Sequence, residues 1–149
     1  MIRVQEADFD VGAELARLSE GRRDIGGLAC FIGLVRDRVG DSVTAMTLEH
    51  YPGMTEKRLV EIEAEALARW PLEATLIIHR VGRLLPGDRI VLVATASSHR
   101  QAALESCQFL IDWLKTKAPF WKLEETPSGA EWVAARDSDD QAAERWRRS

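Results

Sequence analysis

Strand-like and helix-like segments alternate along this chain of 149 residues, and their order limits the folds open to it. Short apolar or alternating segments predict strands at 1–5, 26–36, 43–50, 74–81, 89–97, 121–125 and 131–135. Between them lie three segments with apolar residues at helical spacing, as in Leu59, Ile62 and Ala66. The order β-α-β-β-α-β-β-α-β-β predicts an α+β fold, with helices packed on a mainly antiparallel sheet.

Neighbouring strand segments suggest how that sheet is paired. We expect residues 26–36 and 43–50 to form one antiparallel pair, and residues 74–81 and 89–97 to form a second, joined by a turn at Pro86–Gly87. The charged end of the chain, residues 137–149, is either a mobile tail or a helix that contacts a partner.

Capping residues mark the predicted starts of two helices. Asp8 or Asp10 is placed to cap the first helix, and Ser97 or Ser98 to cap the third, which continues to about residue 117. The second helix spans 54–70 and is stopped by a proline.

The composition excludes several classes of protein. A net charge of -4 argues against a general nucleic-acid binder, and no apolar run is long enough to cross a membrane. Cys30 and Cys107 have no metal-ligand spacing, so we expect two reduced, buried thiols, no metal site and no cofactor. With no signal peptide at the N-terminus, a cytoplasmic protein is expected.

Basic residues cluster around the third helix. His99 and Arg100 follow a strand and open the helix, where the backbone N–H groups and the helix dipole favour an anion. Lys115 lies about four turns further along, so the two ends meet only around a site built by folding or by a second subunit. Lys122 follows a proline turn that can bring it back beside Lys115, and Arg36 ends an apolar strand and can point to the same site. The sequence therefore predicts a local anion-binding pocket.

Some of these residues also have plainer interpretations. Arg100 can simply pair with a surface carboxylate such as Glu105. Lys117 is expected to be solvated, and His50 and His79, which lack metal-ligand spacing, are expected to be structural.

Together, several motifs resemble the large, catalytic subunit of molybdopterin synthase, the MoaE family. They are GLACFIGLVRD, LEHYPGMTEKRL, IIHRVGRLLPGD, ASSHRQAALESC, LKTKAPFWKLE and WVAARDSD, and they cover nearly the whole chain. The resemblance implies a single domain over residues 1–149 with an α/β-hammerhead-like fold.

The resemblance also implies an activity and partners. The family transfers sulfur from the C-terminal Gly-Gly thiocarboxylate of a small ubiquitin-like carrier to cyclic pyranopterin monophosphate, which forms the dithiolene of molybdopterin. This explains a sulfur-transfer enzyme without a plausible catalytic cysteine. A homodimer of this chain is implied, with one carrier at each end in a heterotetramer.

The family pattern assigns a role to each residue of the predicted site. Lys115 and Lys122 match the catalytic positions, where they would stabilise developing negative charge. Substrate binding is assigned to Arg36, His99, Arg100 and Arg136, the last from a neighbouring subunit. The pocket for the carrier's tail is assigned to Phe31, Leu34 and Val35.

Two other functions stay open on the residues alone. One is a non-catalytic module that holds an anion or a protein carboxyl terminus in the same basic pocket. The other is an enzyme that forms a Schiff base through Lys115 or Lys122 with a carbonyl substrate.

Overall fold

The computed structural model describes residues 1–37, 40, 42–133 and 137–147. Its strands are β1 (Ile2–Gln5), β2 (Gly27–Leu34), β3 (Ala45–His50), β4 (Leu72–Arg80), β5 (Gly82–Leu84), β6 (Arg89–Ser97), β7 (Phe120–Thr126) and β8 (Gly129–Trp132). Its helices are α1 (Val11–Ser19), α2 (Met54–Arg69), α3 (Arg100–Lys117) and α4 (Asp137–Glu144).

The described strands form two four-stranded sheets. The first sheet has the order β1-β4-β6-β2 and the second the order β5-β3-β7-β8. Only the β1–β4 pair is parallel among the described strands, and the other pairs are antiparallel. The predicted α+β class with mainly antiparallel pairing is therefore confirmed.

One predicted strand pair is wrong and the other is confirmed. β4 and β6 pair as expected, but β2 and β3 lie in different sheets. β2 instead runs antiparallel to β6, from Gly27 opposite Ser97 to Leu34 opposite Arg89. β6 is buried along almost its whole length and therefore needs an apolar strand on both sides, which β2 supplies.

The two predicted helix caps also differ in outcome. Asp10 caps α1, since its carboxylate accepts a hydrogen bond from the Ala13 N–H at 3.0 Å. The predicted serine cap of α3 is wrong: Ser97 is buried at the end of β6 and donates to the Pro71 carbonyl at 2.8 Å. His99 occupies the cap position and makes no side-chain cap hydrogen bond. The first turn of α3 thus keeps backbone N–H groups that no capping side chain satisfies.

The main core lies between one face of the first sheet and helices α2 and α3. Phe109 of α3 is fully buried there, in tilted contact with Trp70 and Trp113. A smaller cluster under α1 covers the other face of β4 and β6. Among the described residues, no helix combines the length and apolar character needed to cross a membrane.

The cysteine prediction holds for one residue and fails for the other. Cys107 is buried in α3, whereas Cys30 is exposed. β2 lies at the edge of its sheet, and Phe31, Ile32 and Leu34 of this strand are exposed as well. An apolar sequence therefore did not imply burial for Cys30 within a single chain.

The described part of the C-terminal segment is a packed helix. The Trp113 indole donates to the Ala143 carbonyl at 3.3 Å, and the Trp146 indole donates to Asp112 at 2.7 Å. Arg69 of α2 donates to the Trp146 carbonyl at 2.6 Å. These contacts fasten α4 and the residues after it to α3.

Candidate functional site

Lys115 and Lys122 are brought together by the turn between α3 and β7. Lys115 lies in the last turn of α3, where the negative end of the helix dipole favours a cation. Side chains alternate along β7, so Phe120, Lys122 and Glu124 share one face of the second sheet. That face lies against the end of α3, and both lysines border the same cavities.

Two adjoining cavities form the candidate site. The inner cavity has a volume of about 150 Å³, and the outer cavity about 460 Å³. Both are lined by Met46, Lys115, Lys122, Glu124, Val133 and Asp139. The inner cavity extends to His79, Leu114, Ala118 and Phe120. The outer cavity extends to Leu34, Arg36 and Ile90. One site thus has a smaller inner end that adds His79 and apolar residues to the shared charged groups, and a wider outer end that adds Arg36.

The outer cavity carries an excess of positive charge. Arg36 follows β2 and, with Lys115 and Lys122, gives three cations against the carboxylates of Glu124 and Asp139. A guanidinium group binds phosphate through paired hydrogen bonds. The predicted grouping of Arg36 with the two lysines is what the structure shows.

His79, which the sequence predicts to be structural, also borders the inner cavity. The ring is 3% exposed, stacks on Phe120 with 3.7 Å between ring centroids, and forms part of the wall of the inner cavity. Burial, together with the positive charges of Lys115 and Lys122, lowers the pKa of His79 to about 3. A polar residue within the apolar run LIIHR was the signal available in the sequence.

Two carboxylates in the site were also missed. Glu124 is 8% exposed and shares the inner face of β7 with Lys122. Asp139 reaches the same cavities from α4, a segment with no predicted place in the fold. The two-residue spacing from Lys122 was a usable signal for Glu124, whereas Asp139 depends on the packing of α4.

His99 and Arg100 do not join this site within one chain. Both are exposed at the start of α3, about 22 Å along the helix from Lys115 at 1.5 Å per residue. Arg136 lies outside the described residues. The cationic cluster predicted from sequence therefore divides into two groups, one at each end of α3.

The residues assigned to the tail pocket lie in three different settings. Leu34 lines the outer cavity. Phe31 is exposed on β2, and Val35 is packed in the main core at 2% exposure. Neither Phe31 nor Val35 is among the described residues that line the two cavities.

Sulfur and metal ligands are not features of the described site. Neither Cys30 nor Cys107 borders the two cavities, and burial raises the pKa of the Cys107 thiol to about 12. Within the described part of the chain, no three His, Cys, Asp or Glu side chains are grouped to hold a metal ion. The described groups that line the site are ammonium, guanidinium, imidazole and carboxylate side chains, which can stabilise charge and form hydrogen bonds.

Known proteins share both the sequence and the fold. The family model described as "MoaE protein" matches residues 4–117. The molybdopterin synthase catalytic subunit of Ralstonia nicotianae is 58% identical over 146 residues, which is 97% of this chain and 83% of that protein. The molybdopterin synthase catalytic subunit of Escherichia coli is 57% identical over 139 residues, covering 93% of this chain and 92% of that protein.

A solved structure gives the same result. The molybdopterin biosynthesis MoaE protein from Burkholderia ambifaria superposes with a TM-score of 0.84 at 58% identity, over 98% of this chain and 97% of that one.

Proposed function

The chain belongs to the MoaE protein family, and from that premise we propose that it is the catalytic subunit of a molybdopterin synthase. It would transfer sulfur from the C-terminal thiocarboxylate of a small ubiquitin-like carrier to cyclic pyranopterin monophosphate. The observation that carries this proposal is a cavity lined by two lysines and no cysteine among its described residues.

The cavity favours a sulfur that arrives on another molecule. A nucleophilic thiolate is absent from its described wall, while Lys115 and Lys122 supply two positive charges beside apolar surface. A thiocarboxylate brings its own negative sulfur and is attracted to those charges. Ammonium groups held close to the reacting atoms then stabilise the negative charge that develops during transfer, an effect commonly worth 10²–10³-fold in rate.

The chemical step balances without a redox partner. The thiocarboxylate sulfur forms a bond to a carbon of the substrate, and the bond from that carbon to an oxygen substituent breaks, so that this oxygen group leaves with the electron pair and takes up a proton. Water then attacks the acyl carbon. The acyl–sulfur bond breaks, sulfur stays on the substrate, and the carrier leaves with a carboxylate. Lys115 and Lys122 serve as electrostatic groups at both stages.

The outer cavity is proposed to hold the substrate. Arg36 is suited to its phosphate, and His99 and Arg100 are proposed to come from a second copy of the chain. The separation of about 22 Å along α3 supports that assignment, because the two groups cannot meet within one chain. Arg136 is proposed to complete the binding site.

The exposed edge of the first sheet supports assembly as a homodimer. β2 is an edge strand, and it exposes Phe31, Ile32 and Leu34. Unpaired strand edges with apolar side chains tend to be covered by another chain. Leu34 and the exposed Phe31 are proposed to shape the opening for the carrier's tail, whereas Val35 is buried in the main core and would act only through its neighbours. One carrier is proposed on each protomer of a heterotetramer. Free thiols on both cysteines suit a cytoplasmic location.

Product formation in a purified system tests the function. The chain is mixed with cyclic pyranopterin monophosphate and a thiocarboxylated carrier, and molybdopterin is measured against a carrier that ends in a plain carboxylate. Lys115→Ala is expected to reduce the rate by at least about 100-fold while carrier binding survives. Lys117→Ala is the matched control, since Lys117 is exposed in the same helical turn and lies over the Trp113 ring at 4.9 Å.

The other functions give different results in this assay. A complex that forms with the carrier but yields no product would contradict the proposal and favour a binding module. A Schiff-base enzyme would give a lysine adduct with the substrate after borohydride treatment, and the adduct would have to lie on the path to product.

A further inference from the structure

The buried imidazole of His79 has one fixed tautomer. Its Nδ1 lies 2.8 Å from the Arg80 carbonyl oxygen, and a carbonyl only accepts hydrogen bonds, so Nδ1 carries the proton and donates. The pKa of about 3 keeps the ring neutral at neutral pH. Nε2 therefore carries a lone pair and can only accept.

That acceptor has no protein partner within the described part of the chain. The ring makes one hydrogen bond, through Nδ1, and Nε2 is at the end of the ring further from the β4 backbone. The stack on Phe120, with an angle of 14° between the ring planes, fixes the orientation of the imidazole. Since His79 lines the inner cavity, a donor that enters this cavity can form a hydrogen bond with Nε2.

The surroundings restrict the donor to a neutral and narrow group. Lys115 and Lys122 act on the ring with positive charge and disfavour a cationic donor beside it, although Glu124 and Asp139 line the same cavity. The inner cavity has about 150 Å³ and apolar walls at Leu114 and Ala118. A fused ring system is better suited to the outer cavity, which is about three times as large.

A glycine main chain at a peptide C-terminus meets all these conditions. Its amide N–H is a neutral donor, it has no side chain, and its terminal group is negative and suits the two lysines. We propose that Nε2 of His79 accepts a hydrogen bond from a main-chain N–H of the carrier's Gly-Gly tail, and thereby positions the terminal acyl group beside Lys115 and Lys122. The inference rests on the function proposed above and adds a positioning residue to it.

A double-mutant cycle between the tail and His79 tests the contact. Two semisynthetic carriers are made, each with one of the two glycine N–H groups replaced by an ester oxygen. Their affinities for the unmodified chain and for His79→Phe are compared with that of the amide carrier. With the unmodified chain, one of the two ester carriers is expected to bind about 3- to 10-fold more weakly than the amide carrier. With His79→Phe, the same ester carrier and the amide carrier should differ only by the general effect of the ester bond.

Further variants separate positioning from a structural role. His79→Gln offers a side-chain oxygen in place of Nε2 and is expected to restore part of the ester discrimination. His50→Phe is the matched control, because it removes an imidazole that is not among the described lining residues. It is expected to keep the full discrimination.

The outcomes are distinct for the inference and for the function. If both esters bind the unmodified chain as tightly as the amide, the inference is overturned whether or not any variant folds. An effect of His79→Phe on the KM for the pterin substrate, with no coupling to the tail, overturns it as well. Product formation by the unmodified chain with the amide carrier reports on the proposed function separately.

Discussion

Acidification from pH 7 to pH 5 is expected to destabilise the fold by about 2 kcal/mol through His79. In the unfolded chain this imidazole has its ordinary pKa of 6.5, whereas burial lowers the folded pKa to about 3. The unfolded state therefore binds more protons throughout this pH range. Stability falls as the pH falls, because protonation favours the state with the higher pKa.

The magnitude follows from the difference in bound protons. At pH 5 nearly every unfolded imidazole is charged, while the folded ring at 3% exposure stays neutral. Integration of that difference from pH 7 to pH 5 gives about 2 kcal/mol. The result depends little on the folded pKa as long as it stays well below 5.

Urea unfolding at the two pH values measures the effect, at fixed protein concentration. His79→Phe keeps an aromatic ring against Phe120 but cannot be protonated, so its loss of stability should be about 2 kcal/mol smaller than that of the unmodified chain. His99→Phe removes an exposed imidazole and should keep the full loss, since His79 is intact. An equal loss in the unmodified chain and in His79→Phe would refute the reasoning.

Three further predictions follow from packing. Gly26→Ala would place a Cβ 2.0 Å from the Ser98 carbonyl oxygen, so it is expected to lower the free energy of unfolding by about 2 kcal/mol or more. Gly12→Ala is the control. The nearest atom to its added Cβ is 3.5 Å away, so the free energy of unfolding should change by less than about 1 kcal/mol. Cys107 is buried with a raised pKa, so peptide mass spectrometry should find it unmodified by iodoacetamide at pH 8 until urea is added. Trp146→Ala removes the indole contacts of the C-terminal segment and should cost about 2 kcal/mol, with faster proteolysis of α4; an unchanged cleavage rate would contradict the packing described for it.

The helices and strands were easier to predict from the sequence than the pairing of the strands. Apolar periodicity predicts a strand but does not indicate which strand pairs with it. The β4–β6 pair was predicted because the two strands are close together along the chain. The β2–β6 pair joins residues that lie far apart along the chain, such as Gly27 and Ser97, and leaves no local signal. β5 was not predicted, because its three residues lie in the short segment between the predicted strand 74–81 and the predicted turn at Pro86–Gly87.

The site was predictable where charge marked it. Lys115 and Lys122 stood out as cations beside a proline turn, and the turn does bring them to one cavity. His79 did not stand out, because a single histidine in a buried strand is usually structural. Its place in the wall of the inner cavity goes with the stack on Phe120, which is a contact between the two sheets.

The length of α3 has a consequence for genetics. His99 occupies the cap position at one end of this 18-residue helix and Lys115 lies in its last turn, so in the proposed homodimer each site would take one of these residues from each chain. Two inactive alleles, His99→Ala and Lys115→Ala, would then complement each other, because a mixed dimer contains one site with both residues intact. Random pairing of equal amounts would restore about a quarter of all sites. A double mutant carrying both changes on one chain would rescue neither allele.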